Sequence, residues 1–267
     1  MAEKGPLVLV MIVGLVIGLG VGYAIPTLLV PPGEAPDLLD TIQSRGYMVV
    51  GTSSGWPPFE MVNSSTQELY GFDIDLCELI ADELDVDLQW SDMDFDALVG
   101  AAQTGTVDLL AAAMFITPQR AEVLDHSIWY IRTNQIVVVT GNSSLEIDSL
   151  EDLEGYTVGV QTGTVEDDEL SDLVSDGVGI TIQRYPRPDT LFADLAGDQL
   201  DAVYVDEPVI TVYSKVYSLK SIYTVPAPPT ALFMRKGNPD FQNAVNDVIA
   251  NAYADGSLDE MIEKWFG

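Results

Sequence analysis

Val107-Asp108-Leu109-Leu110-Ala111-Ala112-Ala113-Met114-Phe115-Ile116-Thr117-Pro118-Gln119-Arg120 places two structural signals side by side. The apolar run 107–112 predicts a buried strand. Thr117-Pro118 predicts a helix start, with Thr as the N-cap and Pro at the first helical position. A strand that turns into a helix is the building unit of an α/β fold, and the alternation continues on both sides. Upstream, 47–51 reads as a strand and 72–84 as a helix, with Leu76, Ile80 and Leu84 at four-residue spacing. Met93-Asp94-Phe95 opens another helix. Downstream, 136–140, 156–160, 180–184 and 201–205 read as strands, with helical stretches at 190–197 and 207–218. The chain closes with a helix over 240–254, carrying Phe241, Val245, Val248, Ile249 and Ala252 on one face, and a short helix over 258–266. This order predicts an α/β fold with mostly parallel sheets.

Composition narrows the function. Eleven Lys and Arg face 42 Asp and Glu, a formal net charge of -31 over 267 residues. So acidic a surface repels nucleic acid, whose phosphates require a basic face. Self-repulsion of this size is relieved by counterions, so the charge reads either as adaptation to high salt or as an acidic protein of a less extreme habitat. Cys77 is the single cysteine, which excludes an intramolecular disulfide; its apolar helical surroundings predict a small buried core residue.

Residues 7–30 carry no charge, a stretch long enough to span a hydrocarbon core of ~30 Å as a helix. Residues 1–30 therefore read as an N-terminal transmembrane helix that anchors the chain, with a cleaved signal peptide and secretion as the alternative. The proline-rich segment 31–39 reads as a stiff linker to the soluble body.

Several local patterns follow one another in a distinctive order. Trp56-Pro57-Pro58-Phe59-Glu60 follows the first strand, then Gly71-Phe72-Asp73-Ile74-Asp75-Leu76, then the 107–120 stretch. Val158-Gly159-Val160-Gln161-Thr162-Gly163-Thr164 and Asp201-Ala202-Val203-Tyr204-Val205-Asp206-Glu207-Pro208 come next, and Lys264-Trp265-Phe266-Gly267 ends the chain. Over about residues 40 to 267 this series resembles the bacterial extracellular solute-binding proteins of the polar amino-acid branch. The resemblance implies a two-lobed fold of the periplasmic-binding-protein type II. It sets lobe 1 at 40–132 plus 229–267, lobe 2 at 134–225, and hinges near 133 and 227. It also implies a monomer on the extracytoplasmic face that delivers a small zwitterionic ligand to an ABC permease, without catalysis, cofactor or metal.

A zwitterion requires a cationic and an anionic handle. By resemblance, Arg120, close to the helix start at Thr117, holds the ligand carboxylate, and Asp206, at the end of an apolar strand, takes the ammonium. Gln161, Thr164 and Val165 belong to a helix-opening turn whose amides and Thr164 hydroxyl complete the carboxylate site, with Gln161 reading the ligand side chain. Trp56 and Phe95 match positions that flank the ligand, Phe59 lies near them, and Ala113, Met114 and Ser53 join the binding set. Phe115 and Ser53 depart from many amino-acid binders, where Thr and an acid stand. Trp56, Phe95 and Phe115 together suit a partial aromatic cage for an alkylated or delocalised cation, an osmolyte among them. Packing of the lobe is the other reading of Phe115.

Other motifs fail on their own terms. Asp92-x-Asp94-x-Asp96 lacks the Gly and Glu that a calcium loop needs, Ala97 and Gln103 standing there instead. With His126 as the single histidine, a His-dependent triad has little basis. A dehydratase of carboxylated rings, with Asp206 or Glu207 as proton acceptor, and a sensor domain are the remaining alternatives on this fold.

Overall fold

A computed structural model describes residues 37–267, which form one compact unit. The expected transmembrane helix lies outside the described residues; among these, no helix is long and apolar enough to cross a membrane. The body begins earlier than the linker reading implied. Asp37 caps α1 (Leu38–Arg45) by accepting from the Leu39 amide at 2.9 Å, so the end of the 31–39 segment is already helical.

The first half of the chain continues with β1 (Tyr47–Thr52), β2 (Met61–Val62), β3 (Leu69–Tyr70), α2 (Phe72–Leu84), β4 (Asp87–Asp92), α3 (Leu98–Thr104), β5 (Leu109–Leu110), α4 (Pro118–Val123) and β6 (Leu124–His126). Then follow β7 (Asn134–Thr140), β8 (Thr157–Gln161), α5 (Val165–Ser175), β9 (Thr181–Tyr185), α6 (Pro188–Ala196), β10 (Ala202–Asp206), α7 (Glu207–Tyr213) and β11 (Leu219–Pro226). The chain ends with β12 (Phe233–Arg235), α8 (Pro239–Asp255) and α9 (Ser257–Phe266). Two five-stranded sheets, ordered β4-β1-β5-β12-β6 and β11-β7-β10-β8-β9, make the fold two-lobed.

The sheets are mixed, which corrects the expectation of mostly parallel pairing. Strands β1, β4 and β5 pair in parallel, as do β8, β9 and β10. Strand β12 enters the first sheet antiparallel to β5 and β6, and β7 lies antiparallel to β10 and β11 in the second. The reason is connectivity: a strand that arrives from the other sheet is free of the crossover helix that enforces parallel order. The two crossing segments are themselves joined, Tyr130 N donating to Thr230 O at 3.0 Å and Thr230 N to Ile131 O at 3.0 Å.

Helix α2 shows how the pattern becomes packing. Phe72, Leu76, Cys77 and Ile80 are fully buried against α8, whose Phe241, Val245 and Ile249 are buried in turn. Each large apolar side chain so buried contributes roughly 1.5–3 kcal/mol. The helix start is pinned to the preceding loop, Phe72 N donating to Pro58 O and Asp73 N to Phe59 O, both at 3.0 Å. Gly71 allows this approach: its φ is +148°, and a Cβ there would fall 2.1 Å from Phe59 O. Phe59, expected near Trp56 and Phe95, belongs to this core, edge-on to Phe72 and Phe266.

Candidate functional site: the cleft between the lobes

Strands β1, β5, β8 and β10 run in parallel pairs, and their carboxyl ends meet between the lobes. Loops after such strand ends are the ordinary ligand position in α/β sheets. The first lobe contributes Trp56 from the loop after β1, Ala112, Ala113 and Phe115 after β5, Arg120 from α4, and Phe95. The second contributes Gln161, Thr164, Val165 and Glu166 from the β8–α5 turn, and Asp206 from the end of β10. These residues close tightly on one another and leave a cavity of about 10 Å³ between the lobes, room for about one water.

Arg120 is oriented by its own turn. Thr117 caps α4 by accepting from the Arg120 amide at 3.2 Å, and Pro118 follows, as the sequence predicts. One guanidinium nitrogen donates to Phe115 O at 2.9 Å and the other to Gly163 O of the second lobe at 3.4 Å. The guanidinium also lies 5.4 Å from the centre of the Phe95 ring. No carboxylate forms an ion pair with it among the described residues. Burial lowers its pKa, with Glu166, Asp168 and Asp206 opposing that effect.

Asp206 precedes α7 but does not cap it. Its Oδ2 instead accepts from Trp56 Nε1 across the cleft at 2.9 Å, and its Oδ1 is buried without a partner. Burial first, then the facing Glu166 carboxyl, push its pKa well above the usual carboxylate range; the Trp56 bond and Arg120 pull the other way.

Ala113 holds a left-handed conformation at φ +51°, uncommon for a residue with a Cβ. Its amide donates to Asp73 Oδ2 at 2.9 Å, and Asp73 Oδ1 accepts from Tyr130 OH at 2.7 Å. Asp73 thus ties the cleft loop to the first crossing segment. Burial raises its pKa to about 6 despite these two bonds.

The remaining expected residues separate into two groups. Val165 lines the cavity, as do Gln161 and Thr164, but the last two have committed polar atoms. Gln161 Nε2 donates to Pro186 O at 2.9 Å. The Thr164 hydroxyl donates to Gln161 O at 2.9 Å and accepts from the Asp167 amide, capping α5. Met114 and Ser53 lie outside the cavity wall. Met114 is buried with Leu98, Leu124 and Phe233 in the first lobe, and Ser53 is buried with its hydroxyl unpartnered. The three aromatics line the cavity, but Arg120 already covers the Phe95 ring, so the expected cage is partly filled by the protein's own cation. Sequence reasoning missed Ala112, Glu166 and Asp73.

The lobes are in direct contact around this cavity. Arg187 reaches from the second lobe to Ser54 O at 2.8 Å, Asp92 Oδ1 at 2.9 Å and Asp94 Oδ1 at 3.4 Å. Tyr213 OH donates to Gly55 O at 3.2 Å. Gly163, at φ +79°, brings its Cα side so near Asp96 that a Cβ would lie 3.1 Å from the Asp96 Cβ.

Comparison with known proteins agrees with this architecture. The arginine-binding extracellular protein ArtP of Bacillus subtilis is 28% identical over 224 residues, 82% of this chain and 86% of the relative. The L-cystine-binding protein TcyJ of Escherichia coli is 29% identical over 234 residues, covering 86% of each chain. Among solved structures, a mutant of ArgBP from T. maritima superposes with a TM-score of 0.80 at 34% identity, covering 85% of this chain and 98% of that one. The family model for bacterial extracellular solute-binding proteins, family 3, matches residues 48–267. With this match over most of its length and the two-lobed cleft that accompanies it, the chain belongs to the bacterial extracellular solute-binding proteins, family 3.

Proposed function

We propose that the cleft captures one amino acid for an ABC importer, its carboxylate on Arg120 and its ammonium on Asp206. One observation carries the reading: a half-buried guanidinium without a carboxylate partner and a buried carboxyl with an oxygen left without a donor share the wall of one small cavity. Buried charges left this way are unfavourable until something pairs with them. A zwitterion supplies both partners, and the closed arrangement gains more from it than an open one does, which is the differential affinity that closure requires. Relatives named for binding arginine and cystine support an amino acid as the ligand. The filled face of Phe95 disfavours the osmolyte cage.

Trp56, Phe95, Ala113, Phe115, Gln161, Thr164 and Val165 form the wall around the ligand in this reading, with Met114 and Ser53 acting from behind it. The moving bodies are 40–132 with 229–267 and 134–225, turning about hinges near 133 and 227. The joined crossing segments support that division. Segment 1–30 anchors a monomer on the extracytoplasmic face, and the closed lobes dock to the permease.

The test is Arg120→Ala with calorimetric titration of the common amino acids. Binding should weaken at least ~100-fold, the effect of removing one partner of a buried charge pair. Circular dichroism and melting should stay near wild type. Wild-type affinity in this variant would remove Arg120 from the site.

A further inference from the structure

Asp206 has a close neighbour on its own lobe. Glu166, in the first turn of α5, is 2% exposed, and its carboxyl lies in hydrogen-bonding contact with that of Asp206. Glu166 Oε1 and Asp206 Oδ1 are both buried, and neither has a donor from the rest of the protein. Two ionised carboxylates only accept, so this contact is attractive when a proton lies between them. Such a pair titrates as one unit, and the burial that pushes the Asp206 pKa up keeps one proton on it.

The surroundings decide which end keeps the charge. Asp206 Oδ2 accepts from Trp56 Nε1, a bond that favours the ionised form, whereas Glu166 Oε1 accepts from nothing. Arg120 from α4 faces both acids and also Asp168 of α5. Glu60 from the loop after β1 faces Asp206, and Glu169 from α5 faces Glu166; both disfavour a second negative charge on the pair. Tyr204 from β10 already gives its hydroxyl to Glu169 at 2.6 Å. Helix α5 does not need Glu166 as an anion at its start, because Asp167 accepts there from the Gly163 amide at 3.1 Å and pairs with Arg184 at 2.8 Å.

We propose that Glu166 is a positioning residue, a neutral acid whose O–H donates to Asp206 Oδ1 and leaves Asp206 as the single anion that meets the ligand ammonium. The pair then carries one charge, opposite to that of Arg120, and a ligand with one carboxylate and one ammonium leaves the closed cleft in balance. The inference rests on the amino-acid reading above and deepens it.

Two variants and one spectrum test this on the purified full chain at neutral pH. In Glu166→Gln the side-chain amide donates in place of the O–H, so calorimetric titration with the tightest of the common amino acids should give an affinity within about threefold of wild type. Glu166→Met keeps the length and has no donor, and its affinity should fall about tenfold or more, since hydrogen bonds to charged groups are the stronger kind. Infrared spectra with the ligand bound read the proton itself. A protonated carboxyl has a carbonyl stretch that an ionised one lacks, and the wild-type spectrum minus that of Glu166→Gln should contain one such band. Glu166→Gln weakened as far as Glu166→Met, Glu166→Met binding like wild type, or a difference spectrum without the band overturns the role of Glu166 and leaves the amino-acid reading standing. A folded wild-type protein that binds no amino acid overturns that reading together with this inference.

Discussion

The two faces of the cleft differ in chemistry. The first lobe offers a guanidinium among three aromatic side chains, Arg120 with Trp56, Phe95 and Phe115. The second offers two carboxyl groups, Asp206 at a strand end and Glu166 in the first turn of a helix. Neither face satisfies its own buried charges, so each is an incomplete site. The contrast also extends to support. The first face rests on Asp73, which fixes the left-handed Ala113 and reaches Tyr130 of the crossing segment. The second face rests on backbone caps made by its own turn. A polarised cleft of this kind orients a ligand with opposite charges in one direction.

The largest break in this contrast is Asp206→Asn. It removes the charge but keeps an acceptor for Trp56. Affinity should fall at least ~100-fold, because the ligand ammonium is left buried against a neutral group. Stability without ligand should hold or rise, because the carboxyl facing Glu166 is gone. Titration and melting curves on one preparation separate the two effects.

Asp73 sharpens the contrast through pH. Its pKa of about 6 in the folded protein exceeds the ordinary value of 3.8, so the folded state holds the extra proton between these values. Stability from this group is therefore full below about pH 4 and declines as pH rises to about 6, by about 3 kcal/mol for a group so displaced. Urea unfolding of wild type and Asp73→Asn should show the wild type losing its relative stability across that window. A constant difference from pH 4 to 7 would remove Asp73 as the titrating support.

The smallest effect belongs to the rim. Arg187 bridges the lobes through Asp92 and Asp94, whose side chains are 38% and 56% exposed. Exposed ion pairs contribute about 0–1 kcal/mol, so Arg187→Ala should weaken ligand binding only about two- to fivefold, and less at high salt. A loss as large as that of Asp206→Asn would move the decisive contact from the cleft to its rim.

Sequence carried much of this. Helix α2 has the bounds its four-residue spacing predicts, and Thr117-Pro118 caps α4. The expected strand 107–112 is ordered as a strand only at Leu109–Leu110, with Asp108 N and Ala111 N still donating to β1 and Ala112 already part of the cleft wall. Edge strands β4 and β11 escaped notice, since a half-exposed edge such as Asp87–Asp92 alternates only Leu88 and Trp90 with polar residues, too short a pattern to stand out. Helix 207–218 stops at Tyr213. Glu166 gave no signal of its own: an acid in a first helical turn reads as a dipole partner, and only the meeting of the lobes sets it against Asp206. The rim contacts of Arg187 are hidden for the same reason, since they join residues more than ninety positions apart.

The central claim is that one molecule bridges the two faces by its two ends. The direct measurement is titration of the protein with its tightest amino acid beside the N-acetyl and C-terminal amide forms of that amino acid. Each blocked form lacks one handle, and both should bind at least ~100-fold more weakly. Equal affinity for either blocked form would show that its end is not held by Arg120 or Asp206, and the bridging account would be wrong.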